Sequence, residues 1–384
     1  MTSDSRIGPI ALPDTRARRV VEKLLEGSGV ALNGDAPQDL QIFHPDFFSR
    51  ALHQGTLGLG EAYMDGWWEC ERIDEMACRL LRHGLGERAH TRSERLMYRL
   101  QSGFFNLQSK ARAYIVGEAH YDLGNDLFER MLDPTMCYSC GYWKEADTLH
   151  EAQRAKLELA CRKLDLAPGM KVLDIGCGWG SFAEHAARHH GVEVTGITIS
   201  REQAELARRR CAGLPVEIRL QDYRDLEGHY DRIVSIGMFE HVGHRNYPAY
   251  FHTVERLLDE DGLFLLHTIG SNSSEVSADP WINKYIFPNG VLPSVMHIAR
   301  ASEGAHLLME DWQNFGPDYD PTLMAWLENF DAHWHEIAHR YNERTRRMFR
   351  YYLSVCAGAF RSRDLQLWQV VFSRGRRGRY DAPR

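Results

Sequence analysis

At 384 residues and 43% hydrophobic content, the chain has room for two domains and a sizeable core. Its longest apolar runs, near Leu263 to Ile269 and Tyr351 to Phe360, fall short of the roughly 18 residues that cross a bilayer. Met1 to Pro13 lacks the basic and apolar regions of a secretion signal, so a soluble cytoplasmic protein is expected. The net charge of −7 hides a polarity: Ile337 to Arg384 holds twelve arginines against three acids, and Arg79 to Arg112 holds eight Lys or Arg against two Glu. Such basic regions suit an anionic partner, nucleic acid or membrane, although any single arginine also fits a solvated helix face. Eight cysteines in a chain this long do not make a disulfide framework. Cys137 and Cys140 form a Cys-x-x-Cys with no second pair to complete a zinc site, so no metal is expected.

In chain order, Thr15 to Leu25 carries Ala17, Val20, Val21, Leu24 and Leu25 at helical spacing. Val30 to Phe43 reads as a hairpin around Asn33-Gly34-Asp35. Helical segments follow, one holding Tyr63, Trp67 and Trp68; Ser93 to Phe105 is basic and amphipathic, and Gly103 to Gly117 is the junction to a second unit. From about residue 150 strand and helix alternate. A helix over Glu151 to Leu164 stops before Pro168-Gly169, and strands are expected at 171–175, 192–197, 215–220, 231–236 and 262–269. That alternation predicts an α/β fold, a parallel sheet with helices on both faces that binds ligands at the carboxyl ends of its strands. An insertion over Gly270 to Glu303 breaks the rhythm. Strands then resume near Ala305 to Trp312 and Gln366 to Ser373, separated by a long helix marked by Leu323, Leu327, Phe330, Trp334, Ile337 and Tyr341.

The most informative stretch is Val172 to Gly180, where a short apolar strand ends in Asp174 and glycines follow at 176, 178 and 180. Alternate glycines let the backbone turn tightly and approach a ligand. The Asp-x-Gly-x-Gly-x-Gly pattern differs from the spacing that seats a pyrophosphate on a helix N-terminus, which disfavours a nicotinamide dehydrogenase. A carboxylate beside such a turn suits S-adenosylmethionine, which has a cationic sulfonium and no phosphate; a plain strand-to-helix turn is the alternative. Thr198 and Gln203 stand where a ribose acid is usual, and Asp222-Tyr223 could hold adenine, though Asp222 also fits a turn. Three further segments converge on the same crevice: Tyr138-Ser139-Cys140, Glu240-His241 after a strand, and His267 within one. Singly each has a plainer role, Glu240 as a helix cap, His267 as a core histidine, Cys140 and Cys356 as small buried hydrophobes. Together, beside a cofactor loop, they outline an active site.

These segments resemble the cyclopropane-fatty-acyl-phospholipid synthases. The likeness runs from about His44 to Arg374 through LGLGEAYMDGWWEC (57–70), EAHYDLGNDLF (118–128), CYSCGYW (137–143), the glycine-rich stretch, QDYRDL (221–226), GMFEHVG (237–243), DPWINKYIFPNGVLP (279–293) and Phe360 to Ser373. The resemblance implies a class I methyltransferase Rossmann-like catalytic domain over 121–384 and a smaller, mainly helical lipid-docking domain over 1–120. It implies transfer of a methylene group from S-adenosylmethionine onto the cis double bond of a phospholipid acyl chain. An isolated alkene is a weak nucleophile, so the methyl must be held in line and close. The cation that results needs a dry, aromatic-walled pocket, and a base must remove a proton to close the ring. In this family the base is a bound bicarbonate, whose ligands carry over onto Cys140, Glu240, His267, Tyr319 and the backbone at Ile269. Cys356 matches a residue of the family's active site and is read as lining the pocket rather than as a nucleophile. Cofactor contacts are expected from Tyr138, Ser139, Asp174, Gly176, Gly178, Thr198, Gln203, Asp222 and Tyr223. The expected partners are an unsaturated phospholipid, an anionic membrane surface met through basic residues and the Trp67-Trp68 pair, and a second copy of the chain, not nucleic acid. Rival readings are methylation of a small amine and a lipid-binding scaffold with a dead cofactor site.

Overall fold

The computed structural model describes residues 8–85, 124–274, 278–375 and 378–384. Seven strands form one sheet in the order β5-β4-β3-β6-β7-β9-β8. They are β3 (Lys171–Ile175), β4 (Glu193–Thr198), β5 (Val216–Leu220), β6 (Tyr230–Ile236), β7 (Leu258–Ser271), β8 (Leu308–Asn314) and β9 (Leu365–Ser373). β3 to β7 run parallel, whereas β9 is antiparallel to both β7 and β8. The central strands β3 and β6 are buried along nearly their whole length because both sheet faces are covered. In β3, Val172 packs with Phe182 and Leu265 on one face, and Leu173 and Ile175 pack with Phe251 and Phe264 on the other.

Between β8 and β9 lie two helices, Tyr319–Ile337 and Glu343–Ser362, where the sequence suggested one long helix reaching Tyr341. Asn342 separates them: its extended backbone and its side chain, which accepts from the Thr345 amide, start a new helix. The expected hairpin over 30–43 does not form. Asn33 adopts φ 50°, and its side chain accepts from the Ile42 amide at 2.8 Å, while Asp39 accepts from the amides of Ala31 and Ala36. Side-chain bonds thus replace the cross-strand ladder, leaving one bridge between Leu32 and Leu40. The two-residue strands β1 (Gln41–Ile42) and β2 (Trp68–Glu69) pair with each other instead.

Residues 8–85 pack on the rest of the described chain through a shared core. Trp68, Tyr63, Ile42 and Met76 join Trp281, Tyr351, Leu353 and Ala357 in one buried cluster. A side chain at Gly358 would come within 2.5 Å of the Asp74 carbonyl, so the helices Ile73–Arg82 and Glu343–Ser362 cross at backbone distance. Arg361 bonds Asp74 at 2.7 Å and Asp320 at 2.8 Å, and Arg347 reaches Glu69 at 2.5 Å. Indeed each described arginine from 340 to 384 hydrogen-bonds or ion-pairs within the chain; the C-terminal excess of positive charge is held internally. Trp68 is fully buried, which removes it as a membrane-facing residue, and Trp67 is half-buried, stacked on His44 at 4.1 Å with Arg50 against its ring. The basic segment 86–112 and the junction 103–117 lie outside the described residues. Among the described residues no helix is long and apolar enough to cross a membrane.

Candidate active site

A cleft of about 200 Å³ opens at the carboxyl ends of β3, β4 and β6. Gly176 and Gly178 have φ of 83° and 53°, the left-handed region in which glycine is unstrained, and a Cβ at Gly176 would strike Met238 at 2.7 Å. The cleft is lined by every residue expected to hold the cofactor: Tyr138, Ser139, Asp174, Gly176, Gly178, Thr198, Gln203, Asp222 and Tyr223. Burial pushes the Asp174 carboxyl up to about 7, with Lys156 pulling the other way, and Asp174 Oδ2 is buried with no hydrogen-bond partner among the described residues. Thr198 donates to Gln203 Oε1 at 2.9 Å, tying the end of β4 to the helix Arg201–Arg210. Asp222 is gripped by Arg224, whose Nε and Nη2 lie 2.8 and 2.7 Å from its two oxygens. Desolvation pushes Tyr223 up to about 12, so its phenol remains protonated.

Behind the cleft sits a second, sealed group. Glu240 lies in the turn after β6, His267 and Ile269 on β7, Tyr319 at the head of its helix, and Cys140 on the loop that also supplies Tyr138 and Ser139. Glu240 Oε1 accepts from the Ile269 amide at 2.7 Å, the Thr268 hydroxyl lies near the carboxyl, and Oε2 is buried with no hydrogen-bond partner among the described residues. Desolvation raises Glu240 to about 7 against the pull of those donors. His267 is held neutral, well below its ordinary range, by burial and by the charges of Lys156 and Lys163. Its Nδ1 faces the Gln369 amide nitrogen at 3.3 Å, and a neutral imidazole accepting there carries its proton on Nε2, which has no partner among the described residues. Tyr319, stacked on Phe360 at 4.5 Å, is kept protonated by desolvation and by neighbouring Cys140, Glu240, Tyr138 and Cys356. Desolvation likewise raises Cys140 far above an ordinary thiol, and pushes the half-buried Cys356 up to about 12. Neither is a thiolate at neutral pH, which speaks against covalent catalysis by cysteine.

Three residues escaped the sequence reading. Thr322 ties the Cys140 loop down, accepting from the Gly141 amide at 3.1 Å and Trp143 Nε1 at 2.8 Å. Lys156, 1% exposed, donates to Ser139 Oγ at 2.9 Å, and Gln153 Nε2 holds the Ser139 carbonyl at 2.7 Å. Gln153 and Lys156 lie three apart on the buried face of the helix Leu149–Lys163, polar residues, with Lys163, on a face otherwise made of Leu, Ala and Cys. That was the available signal.

A seven-stranded sheet of this order, with a glycine-rich cleft at the ends of its central strands, is that of a class I S-adenosylmethionine-dependent methyltransferase. Coclaurine N-methyltransferase, only 24% identical, has the same fold, with a TM-score of 0.66 over 82% of this chain and 98% of its own. The family model of mycolic acid cyclopropane synthetase matches residues 108–370, and the chain belongs to that family. It is 59% identical over 373 residues to the cyclopropane-fatty-acyl-phospholipid synthase of Escherichia coli (strain K12), covering 97% of each chain. It is also 35% identical to a probable fatty acid methyltransferase of Pseudomonas putida over 91% of this chain and 90% of that one. Among solved structures, the cyclopropane synthase MmaA2 from Mycobacterium tuberculosis superposes with a TM-score of 0.65 at 33% identity, covering 70% of this chain and 99% of its own. The mycolic acid cyclopropane synthase CmaA1, solved with SAH and CTAB, has a TM-score of 0.63 at 36% identity, covering 67% and 97%. The cleft fits the cofactor of this class: an orphaned buried carboxylate oxygen at Asp174 awaits a donor, and the space beside Gly178 is open for at least 4 Å.

Proposed function

We infer that the chain converts the cis double bond of a phospholipid acyl chain into a cyclopropane ring, using S-adenosylmethionine. The observation that carries this reading beyond methyl transfer in general is a set of buried polar side chains beside the cofactor cleft, Glu240 near Tyr319 and Cys140, and His267 on the adjoining strand, in which Glu240 Oε2 and His267 Nε2 have no hydrogen-bond partner among the described residues. S-adenosylmethionine supplies an electrophilic methyl carbon. Tyr138, Ser139, Asp174, Gly176, Gly178, Thr198, Gln203, Asp222 and Tyr223 hold and orient it. Tyr138 and Trp326 (5.3 Å between ring centroids), with Tyr319 at 6.1 Å from Trp326, form aromatic walls that exclude water and steady positive charge developing on the acyl chain.

Ring closure needs a base, and the sealed group suits a bound bicarbonate. The Nε2 proton of His267 and the Tyr319 hydroxyl donate to its oxygens, the Cys140 thiol borders it, and Glu240, raised by burial to about 7, accepts its hydroxyl, the hydrogen bond offsetting the repulsion between the two groups. The Ile269 amide, engaged by Glu240 at 2.7 Å, acts by fixing that carboxyl. Cys356 lines the acyl pocket as a protonated thiol.

Residues 1–120 form the lipid-docking unit and 121–384 the catalytic unit of a peripheral membrane enzyme acting as a homodimer. Because the described C-terminal arginines have partners within the chain, we assign attraction to an anionic surface mainly to the basic segment 86–112, each cation contributing about 1 kcal/mol. The test is incubation with methyl-labelled S-adenosylmethionine and vesicles of cis-unsaturated phospholipid. Acyl chains that gain one CH₂ and lose the alkene support the reading. Unchanged lipid alongside a labelled soluble amine overturns it.

A further inference from the structure

Outside the cleft, four side chains with no task in the reading above meet between two helices. Glu158 and Cys161 lie three apart on the helix Leu149–Lys163 and so share a face, and His185 and His190 stand on the helix Ser181–His190. Glu158 Oε2 is 3.2 Å from His185 Nε2 and 3.1 Å from His190 Nε2, so one carboxylate oxygen gathers both imidazoles. The Cys161 sulfur is buried, and it and a ring nitrogen of each histidine all lie within 4.8 Å of one another. Plain roles cover part of this: a helix dipole favours histidine in its last turn, and a buried cysteine packs as a small hydrophobe. Neither role requires the thiol to meet both imidazoles. Ligands about 2.0–2.1 Å from a tetrahedral ion stand about 3.3 Å apart, close to the spacing the carboxylate and the imidazoles already have, and the sulfur has about 1 Å to close. Thiolate, two imidazoles and a carboxylate suit zinc, whereas magnesium and calcium take oxygen ligands. The expectation of no metal rested on Cys137 and Cys140, and neither belongs to this group.

We propose that Cys161, His185 and His190, with Glu158 as fourth ligand, bind a divalent ion of the zinc class that fastens the two helices together. On binding, the Cys161 thiol releases its proton to solvent and each neutral imidazole ligates through a ring nitrogen, with no change of oxidation state. Four protein ligands make the site a closed, structural one. Glu158 is half-exposed and marks the side from which the ion enters. The clamp bears on the cleft, because Lys156 and Leu157 of one helix and Ser181 and Phe182 of the other line it. The metal site stands independently of what that cleft binds.

The test takes the untagged full chain, stripped by a chelator and kept reduced by a phosphine, and titrates it with cobalt(II) alone and then with zinc(II). One equivalent of cobalt should give the strong visible bands of a tetrahedral site and a near-ultraviolet thiolate-to-cobalt band. Zinc should then displace it and raise the thermal unfolding midpoint. Losing a group that only orients a metal ligand costs about 10- to 100-fold in affinity, so His185→Gln and His190→Gln should each weaken binding at least about a hundredfold, and Glu158→Gln at least about tenfold. Cys161→Ser should remove the thiolate band. Both histidines are partly exposed, so their variants decide the matter even if Cys161→Ser does not fold. Cobalt bound without a thiolate band, or bound as tightly by the histidine variants as by wild type, overturns the proposal and leaves a hydrogen-bonded contact between helices. A wild type that takes up no cobalt overturns it equally.

Discussion

Asp174 and Glu240 are two carboxyls at the same edge of the sheet, and desolvation pushes both up to about 7. Their surroundings differ. Asp174 opens onto the cleft and shares its wall with a lysine, so its charge is balanced and available to a ligand that brings donors. Glu240 is sealed behind that cleft, bonded to a backbone amide and near a hydroxyl, with no cation among the groups that act on it. A carboxyl poised near neutrality beside a counter-charge is a binding group. One poised there without it is suited to moving protons, because a group whose pKa matches the working pH is best placed to exchange them.

The sharpest way to break this contrast is Glu240→Gln. Cyclopropane formation should fall by about a thousandfold while S-adenosylhomocysteine binds as before, as expected when proton transfer is lost but the cofactor cleft is untouched. Equal loss of binding would erase the distinction between the two regions. The same variant tests the pH side. A raised carboxyl pKa contributes stability that is complete below about 4.5 and lost as pH rises through about 7. Between those limits Glu240→Gln should therefore gain stability relative to wild type by up to about 3 kcal/mol, read from denaturant unfolding at a series of pH values. A flat difference would mean that Glu240 is charged at all of them. For Asp174→Asn the mirror outcome is expected: cofactor affinity weakened by about 10- to 100-fold, with turnover at saturating cofactor within a few-fold of wild type. A collapse in turnover at saturation would move Asp174 into the chemistry. Smallest of all, Cys356→Ala should keep activity within about threefold, since a thiol pushed up to about 12 is no nucleophile. Complete inactivation would restore a catalytic cysteine.

What the sequence disclosed follows the same physics. The parallel strands were legible because strands buried on both faces become apolar runs between helices, and Val172 to Gly180 announced its turn through residues that tolerate positive φ. The expected cofactor residues 174, 176, 178, 198, 203, 222 and 223 were picked out by their place at or near strand ends, and 138 and 139 by likeness to a family; all nine line one cleft. The hairpin at 30–43 was misread because Asn-Gly-Asp signals a turn but not where its hydrogen bonds go; here Asn33 and Asp39 take the amides that a second strand would have filled. Lys156 went unseen because a lysine in a helix reads as solvated, and only the fold reveals that its stem and head are enclosed. The bicarbonate ligand set rested on likeness to a family, since no spacing in the chain links residue 140 with 240, 267 and 319.

The backbone crossing at Gly358 has a consequence for evolution by truncation. MmaA2 and CmaA1 match this chain over 70% and 67% of its length while being themselves almost wholly matched. Deleting residues 1–120 here would strip the cover from Tyr351, Leu353 and Ala357 and leave Arg361 without Asp74. A minimal version of this enzyme would thus inherit a greasy scar along its last helix, and any shorter lineage must have repainted that surface before it could dispense with the front of the molecule.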